Sequence, residues 1–174
     1  MGIGIQICGL NGSGKSTIGK ASAEEIGFYF IDNENLFFDR TTQNEPYTNP
    51  KSREEVEKLL LDEVMKNKNF IFAAVKGDYG EQVTPLYNYI ILVEVPKKIR
   101  MQRVRERSFQ KFGSRMLYGG DLFEQEENFF RFVNDRSEDY VADWVKTLKC
   151  PIIRVDGTKT IPYNLGFIIK ELNL

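Results

Sequence analysis

The order of apolar and polar positions predicts strands alternating with helices. Ile3 to Cys8 is a short apolar run that ends in a Gly-rich turn, the pattern of a buried strand. Lys15 to Ile26 reads as a helix stopped by Gly27. Phe28 to Ile31 predicts a second strand ending at Asp32, and residues 33–40 a short helix. Thr41 to Pro50 holds two prolines and two asparagines, which marks a loop. Ser52 and Glu55 have capping-box spacing, and Val56, Leu59, Leu60 and Val64 repeat behind them at helical intervals. Phe70 to Val75 and Tyr89 to Val95 predict the third and fourth strands, and Pro96 starts a basic helix. Asp121 and Glu124 again have capping-box spacing. They predict one long helix whose apolar stripe runs from Leu122 through Phe129, Phe130 and Val133 to Tyr140, Val141, Trp144, Val145 and Leu148. Pro151 to Val155 is the fifth strand, and Pro162 lies near the start of a last helix. Five buried strands separated by helices predict an α/β fold with a parallel sheet covered on both faces. No repeat, low-complexity segment or linker interrupts the pattern, so residues 1–174 read as one domain.

Composition narrows the chemistry. There are 24 Lys plus Arg against 25 Asp plus Glu, a net charge of about −1. That argues against a nucleic-acid or membrane partner. The chain has no histidine. A Ser-His-Asp triad, a Cys-His pair and a His-ligated zinc are therefore excluded. Phosphoryl transfer can run without imidazole, because positioning and electrostatics supply most of its catalysis. Cys8 and Cys150 are too few for a disulfide framework and read as small hydrophobes in a reducing compartment. No apolar run reaches membrane-spanning length and no signal-peptide pattern opens the chain, so a cytoplasmic protein is expected.

One motif carries the chemistry. Gly9-Leu10-Asn11-Gly12-Ser13-Gly14-Lys15-Ser16 fits G-x-x-x-x-G-K-[ST], with a strand before it and a helix after it. Its glycines let backbone N–H groups wrap phosphate oxygens, and the helix start adds a positive end. Gly9, Asn11, Gly12, Ser13, Gly14 and Thr17 are thus candidate nucleotide-binding residues along with Lys15 and Ser16. Lys15 is placed to reach the β- and γ-phosphates, and the Ser16 hydroxyl to bind Mg²⁺. The dinucleotide pattern G-x-G-x-x-G fails, because Thr17 stands where a glycine is needed. The GTPase motif Asn-Lys-x-Asp is missing too; Asn67-Lys68-Asn69-Phe70 ends on the wrong residue.

From these residues the chain resembles the P-loop kinases of small molecules: the nucleoside monophosphate kinase group, with shikimate and gluconate kinases as relatives. The resemblance implies a three-layer P-loop NTPase sandwich, a five-stranded mostly parallel sheet and a small helical lid near residues 108–121. It also implies ATP and Mg²⁺. Residues 97–115 hold eight basic residues against Glu106 alone, leaving 16 basic against 24 acidic elsewhere. Positive charge is thus concentrated where the family keeps its lid. Arg103 and Arg107 are four apart and share a helix face. In the family the first such arginine lies against adenine and the second reaches the phosphates. A plain solvated basic helix is the alternative. Glu106-Arg107-Ser108 spells a deoxynucleoside kinase tripeptide, but in the wrong element.

Asp32 ends the second strand, where related kinases place acceptor-binding or base-like carboxylates; it also fits a helix cap. Shikimate kinases carry Asp-x-Asp there, and this chain has Asp32-Asn33-Glu34. After the third strand, Asp78 is a candidate Mg²⁺ ligand through water and Lys76 a candidate phosphoryl-neutralising cation; a simple turn is the alternative. The Asp156-Gly157-Thr158-Lys159 loop matches the one whose backbone touches adenine in the family, or is a tight turn. Neither Asp-Gly-Phe-Pro-Arg of adenylate kinases, Gly-Gly-Gly of shikimate kinases nor the Asp-Arg pair of thymidylate kinases follows the third strand. The acceptor is therefore not carried over from them. Phe37, Phe38, Tyr47, Tyr79 and Tyr118 are candidates to stack a nucleobase or to cover the core. The expected function is transfer from MgATP to a small-molecule acceptor, a nucleoside or nucleotide first. A nucleoside triphosphatase or ATP-binding switch is the alternative.

Overall fold

The computed structural model describes residues 2–38 and 50–173. In chain order the elements are β1 (Gly4–Cys8), α1 (Lys15–Ile26), β2 (Tyr29–Asp32), α2 (Asn33–Phe37), α3 (Arg53–Lys66) and β3 (Phe70–Ala73). They continue as α4 (Gly80–Val83), β4 (Tyr87–Glu94), α5 (Lys97–Phe112), α6 (Phe123–Asp135), α7 (Tyr140–Val145), β5 (Ile152–Asp156) and α8 (Ile161–Leu172). The sheet order is β2-β3-β1-β4-β5, and every pairing is parallel. β1 is central: Ile5 pairs with Ile71 of β3 on one side and Tyr89 of β4 on the other. The predicted α/β architecture is therefore present, with a wholly parallel sheet.

Each sheet face buries its own helices. Ile5, Ile7, Ile71 and Ile91 pack with Ile18 of α1 and with Ile168 and Leu172 of α8. On the other face Cys8, Phe70 and Phe72 pack with Val56, Leu60 and Val64 of α3 and Val141 and Val145 of α7. A third cluster lies off the sheet, where Val104 and Phe112 of α5 meet Phe130 and Val133 of α6.

Local signals explain several boundaries. Ser52 and Glu55 form the reciprocal capping box that starts α3. Gly27 ends α1 in the left-handed region, and Thr160 caps α8 with Pro162 in its first turn. Leu59, counted in the apolar stripe of α3, is exposed. Most of the predicted 41–50 loop, and Tyr47 with it, lies outside the described residues.

The single long helix expected from Asp121 onward is instead two. Asp121 does not cap it; its carboxylate pairs with Arg115 at 2.6 Å, and Leu122 takes the cap position. The chain then leaves the helix at Arg136, in an extended conformation, and re-enters at Tyr140. Tertiary bonds hold that break open. Arg136 donates to Asn11 Oδ1 at 2.8 Å and Glu138 accepts from Arg100 at 2.6 Å, while the Ser137 hydroxyl binds the Asp139 N–H locally.

Candidate active site

The glycine-rich loop spans the gap from β1 to α1. Gly12 has φ of 82°, and a Cβ there would run into the Arg100 carbonyl, so only glycine fits. Gly14 precedes α1 with no side chain to cap it. The first-turn N–H groups of α1 are thus left facing an anion site. Gly9 N–H donates to the Val75 carbonyl at 3.3 Å, fastening the loop to the end of β3. Ser13 is fully buried, and Thr17 is exposed one residue past Ser16.

Beside this loop, outside the carboxyl edge of the sheet, lies a cavity of about 460 Å³. Asn11, Gly12, Lys15 and Ser16 form its loop wall, and Ala73 to Val75 its floor. Asp32, Asn33 and Glu34 enter from the turn after β2. Arg107 and Lys111 enter from α5, Gln125 and Glu126 from α6. The rings of Phe37, Phe38, Phe112 and Phe129 complete the lining.

Electrostatics tie the walls together. Burial, and then the Arg107 charge, push Lys15 down to about 8, while Asp32 and Glu34 oppose the shift. A desolvated cation beside a second cation is a site that wants an anion. Asp32 caps α2, with Oδ1 accepting from the Glu34 N–H at 3.0 Å. Cap and cavity wall are the same residue.

Three arginines of α5 are placed differently. Arg100 is 3% exposed and donates to the Val95 carbonyl at 3.0 Å, the Asn11 carbonyl at 3.3 Å and Glu138 at 2.6 Å. Arg103 donates to the Gly157 carbonyl at 3.0 Å and sits 3.5 Å from that of Gly12. It therefore lies between the phosphate loop and the turn after β5. In that turn Asp156 Oδ1 accepts from the Thr158 hydroxyl at 2.6 Å and its N–H at 2.9 Å. The Thr158 bonds hold the exposed Asp156 carboxyl below its ordinary value. A Cβ on Gly157 would sit 2.6 Å from the Ser13 carbonyl, so this turn rests directly on the loop. Arg107 has no hydrogen bond or ion pair among the described residues; it faces the cavity.

Asp78 and Lys76 are not brought to this cavity. Lys76 lies 3.3 Å from Asp78 and 4.3 Å from the centre of the Tyr140 ring, and Arg53 binds the Asp78 carbonyl. β3 stops at Ala73, so Ala73 to Val75 meet the cavity and the chain turns away before Asp78. Gly77 is packed against Gln6 and Trp144, which holds that turn over the opposite core. Among the aromatic candidates, Phe37 and Phe38 line the cavity. Tyr79 is buried edge-on to Phe72 at 5.5 Å, and Tyr118 is 93% exposed.

Arg100 and Lys111 enter the sequence reading only as members of the basic cluster of residues 97–115, and Glu126 and Arg136 not at all. Two of the four carried a signal. Arg100, Val104, Ser108 and Phe112 are spaced by four and all buried, so Arg100 lies on the inward face of α5. Glu126 lies on the stripe of Leu122, Phe129, Phe130 and Val133, a charge on an apolar face.

A parallel five-stranded sheet with this loop at the end of its central strand defines a P-loop nucleotide-binding protein. Comparison with known proteins places it more closely. The shikimate kinase family model matches residues 11–140, and the chain belongs to that family. It is 25% identical to the uncharacterized protein YqaC of Bacillus subtilis (strain 168), over 97% of both chains. It is 31% identical to the shikimate kinase of Synechococcus elongatus over 80 residues, 44% of this chain and 42% of that one. Two solved kinases share the fold. The deoxyadenosine kinase of M. mycoides, determined with dCMP and dCDP, superposes with a TM-score of 0.53 at 16% identity, over 98% of both chains. The gluconokinase of Sinorhizobium meliloti 1021 superposes with a TM-score of 0.56 at 14% identity, over 98% of this chain and 91% of that one. The protein is thus a small-molecule kinase. Among the described residues no helix is long and apolar enough to cross a membrane.

Proposed function

We propose that the protein transfers the γ-phosphoryl group of MgATP to a nucleoside or nucleotide. The observation that carries this reading is the cavity that sets Lys15 and Ser16 on one wall, Asp32 and Arg107 on others, and four phenylalanine rings around them. The uncapped start of α1 and the depressed Lys15 both fit a triphosphate. Backbone N–H groups of residues 9–17 would hold its oxygens, with Arg103 and the Asp156–Thr158 turn beside the adenine. Ser16 would hold Mg²⁺ together with the phosphates; the ion would neutralise charge on the β- and γ-oxygens. Among the described residues no cage of three acidic or cysteine side chains exists, which suits an ion held largely by phosphate and water.

Asp32 takes the proton of the acceptor hydroxyl with the oxygen that does not cap α2. The acceptor oxygen then bonds to the γ-phosphorus as the bond to the β-phosphate oxygen breaks, releasing ADP. Lys15 and Arg107 stabilise the charge spread over the moving group. The helical segment near 108–121 acts as a lid that excludes water, so that transfer wins over hydrolysis.

Membership of the shikimate kinase family favours a second reading, a hydroxylated carboxylic acid as acceptor. Arg107 and Lys111 would then meet its carboxylate. The absent Gly-Gly-Gly and the Asp32-Asn33-Glu34 replacement count against shikimate itself. A coupled ADP assay over nucleosides, nucleoside monophosphates and hydroxy acids separates the readings. Turnover with a nucleoside or nucleotide supports the first; turnover with hydroxy acids alone supports the second.

A further inference from the structure

Glu126 has no part in the steps above, yet it is the most enclosed charge in the cavity. It sits in the first turn of α6, is 4% exposed, and lines the same space as Lys111, on which its charge acts. Among the described residues its carboxylate has no hydrogen-bond donor and no ion-pair partner. An ionised carboxylate only accepts hydrogen bonds, and burying one without donors is costly. A ligand that brings donors into the cavity relieves that cost.

We infer that Glu126 selects the acceptor by accepting hydrogen bonds from its hydroxyl or amino groups, and that the acceptor is an uncharged nucleoside rather than a nucleoside monophosphate. The inference rests on the kinase reading above and narrows it. Asp32 and Glu34 add two further carboxylates to the same cavity. A second phosphate brought in on the acceptor would meet three carboxylates and compete with the γ-phosphate for Lys15 and Arg107, with Lys111 the remaining cation of the lining. A neutral acceptor meets neither penalty. Sugar hydroxyls and exocyclic amines are the donors that Glu126 lacks, and Phe37 and Phe129 offer flat apolar faces to a base.

The test uses the full chain, wild type and Glu126→Gln, with initial rates over matched nucleosides and their monophosphates. Calorimetry of ATP and of the nucleoside, and a melting curve, complete it. At least one nucleoside should be used with kcat/KM about a hundredfold above that of its monophosphate. Glutamine keeps the shape but turns one acceptor into a donor. Glu126→Gln should therefore raise nucleoside KM at least about tenfold and leave ATP affinity within about twofold. Its melting temperature should stay near wild type, because no hydrogen bond of the fold is lost. A purely structural glutamate would lower the melting temperature and leave KM alone. An unchanged nucleoside KM in the variant overturns the role of Glu126, whatever the melting temperature. A monophosphate used as well as its nucleoside overturns the charge selection while the kinase reading stands. Transfer to neither class sinks the nucleoside reading and this inference with it.

Discussion

Arg100 and Arg107 lie two turns apart on α5 and live in opposite surroundings. Arg100 is buried with three acceptors at its guanidinium: Val95, Asn11 and Glu138. Arg107 lines the cavity with no acceptor among the described residues. The first ties α5 to the phosphate loop and to the break between α6 and α7. The second is held ready for something absent from the polypeptide. The same contrast divides the whole site. Backbone geometry and the bonds of Arg100 shape the loop, whereas Arg107 of α5 and Glu126 of α6 face the acceptor side. Where every charge is answered, substitution should damage folding; where one is left open, it should damage turnover.

The largest expected effect belongs to Lys15. Lys15→Ala should lower kcat at least about a thousandfold. Its melting temperature should not fall, because a desolvated cation has been removed. Acceptor-dependent rate and a melting curve on one sample check both halves.

The arginine pair comes next. Arg107→Lys keeps charge but loses the planar fork, and should cut kcat at least about tenfold with the melting temperature unchanged. Arg100→Met should do the reverse. It strands the Val95 and Asn11 carbonyls and should destabilise by about 2 kcal/mol, with a smaller loss of kcat in the folded fraction. Denaturant melts beside steady-state kinetics decide. If Arg107→Lys loses stability and keeps its rate, the contrast between the two ends of α5 collapses.

Arg103 should fall between these extremes. It is tied to the Gly157 carbonyl yet half-buried at the predicted adenine site. Arg103→Ala should weaken ATP binding by about 5- to 30-fold, read by calorimetry, with kcat at saturation nearly kept.

The smallest effect is a pH dependence. Lys15 titrates near 8 in the free protein. Triphosphate binding needs its charged form, so ATP affinity should be flat below about pH 7 and fall about tenfold between pH 7 and 9 beyond any change in ATP itself. The stability effect has the opposite sign. The folded pKa lies below the ordinary 10.5, so the penalty for burying the charge is present below pH 8 and fades as pH rises toward 10.5. Lys15→Met should abolish both trends.

The α/β architecture and the phosphate loop were legible because both are written in local spacing. Glycines at 9, 12 and 14 and the apolar runs of β1 to β5 need no tertiary information. The break after Asp135 was not legible. The stripe from Leu122 to Leu148 keeps helical period, and only the bonds of Arg136 and Glu138 to distant partners pull the chain out of the helix. That Asp78 does not line the cavity was hidden for a related reason. Its place follows from β3 ending at Ala73 and from Gly77 packing against Gln6 and Trp144. Glu126 was legible but overlooked, as a charge at a core position of an apolar helix face.

The central claim is that turnover is transfer to an acceptor, and the most direct measurement follows both products. ADP release and inorganic phosphate release are recorded with MgATP alone and then with a panel of nucleosides, nucleoside monophosphates and hydroxy acids. The account predicts slow ADP release alone, acceleration by at least one nucleoside, and phosphate appearing on that nucleoside rather than in solution. ADP and inorganic phosphate released at the same rate with and without acceptor would contradict it and leave a hydrolase in its place.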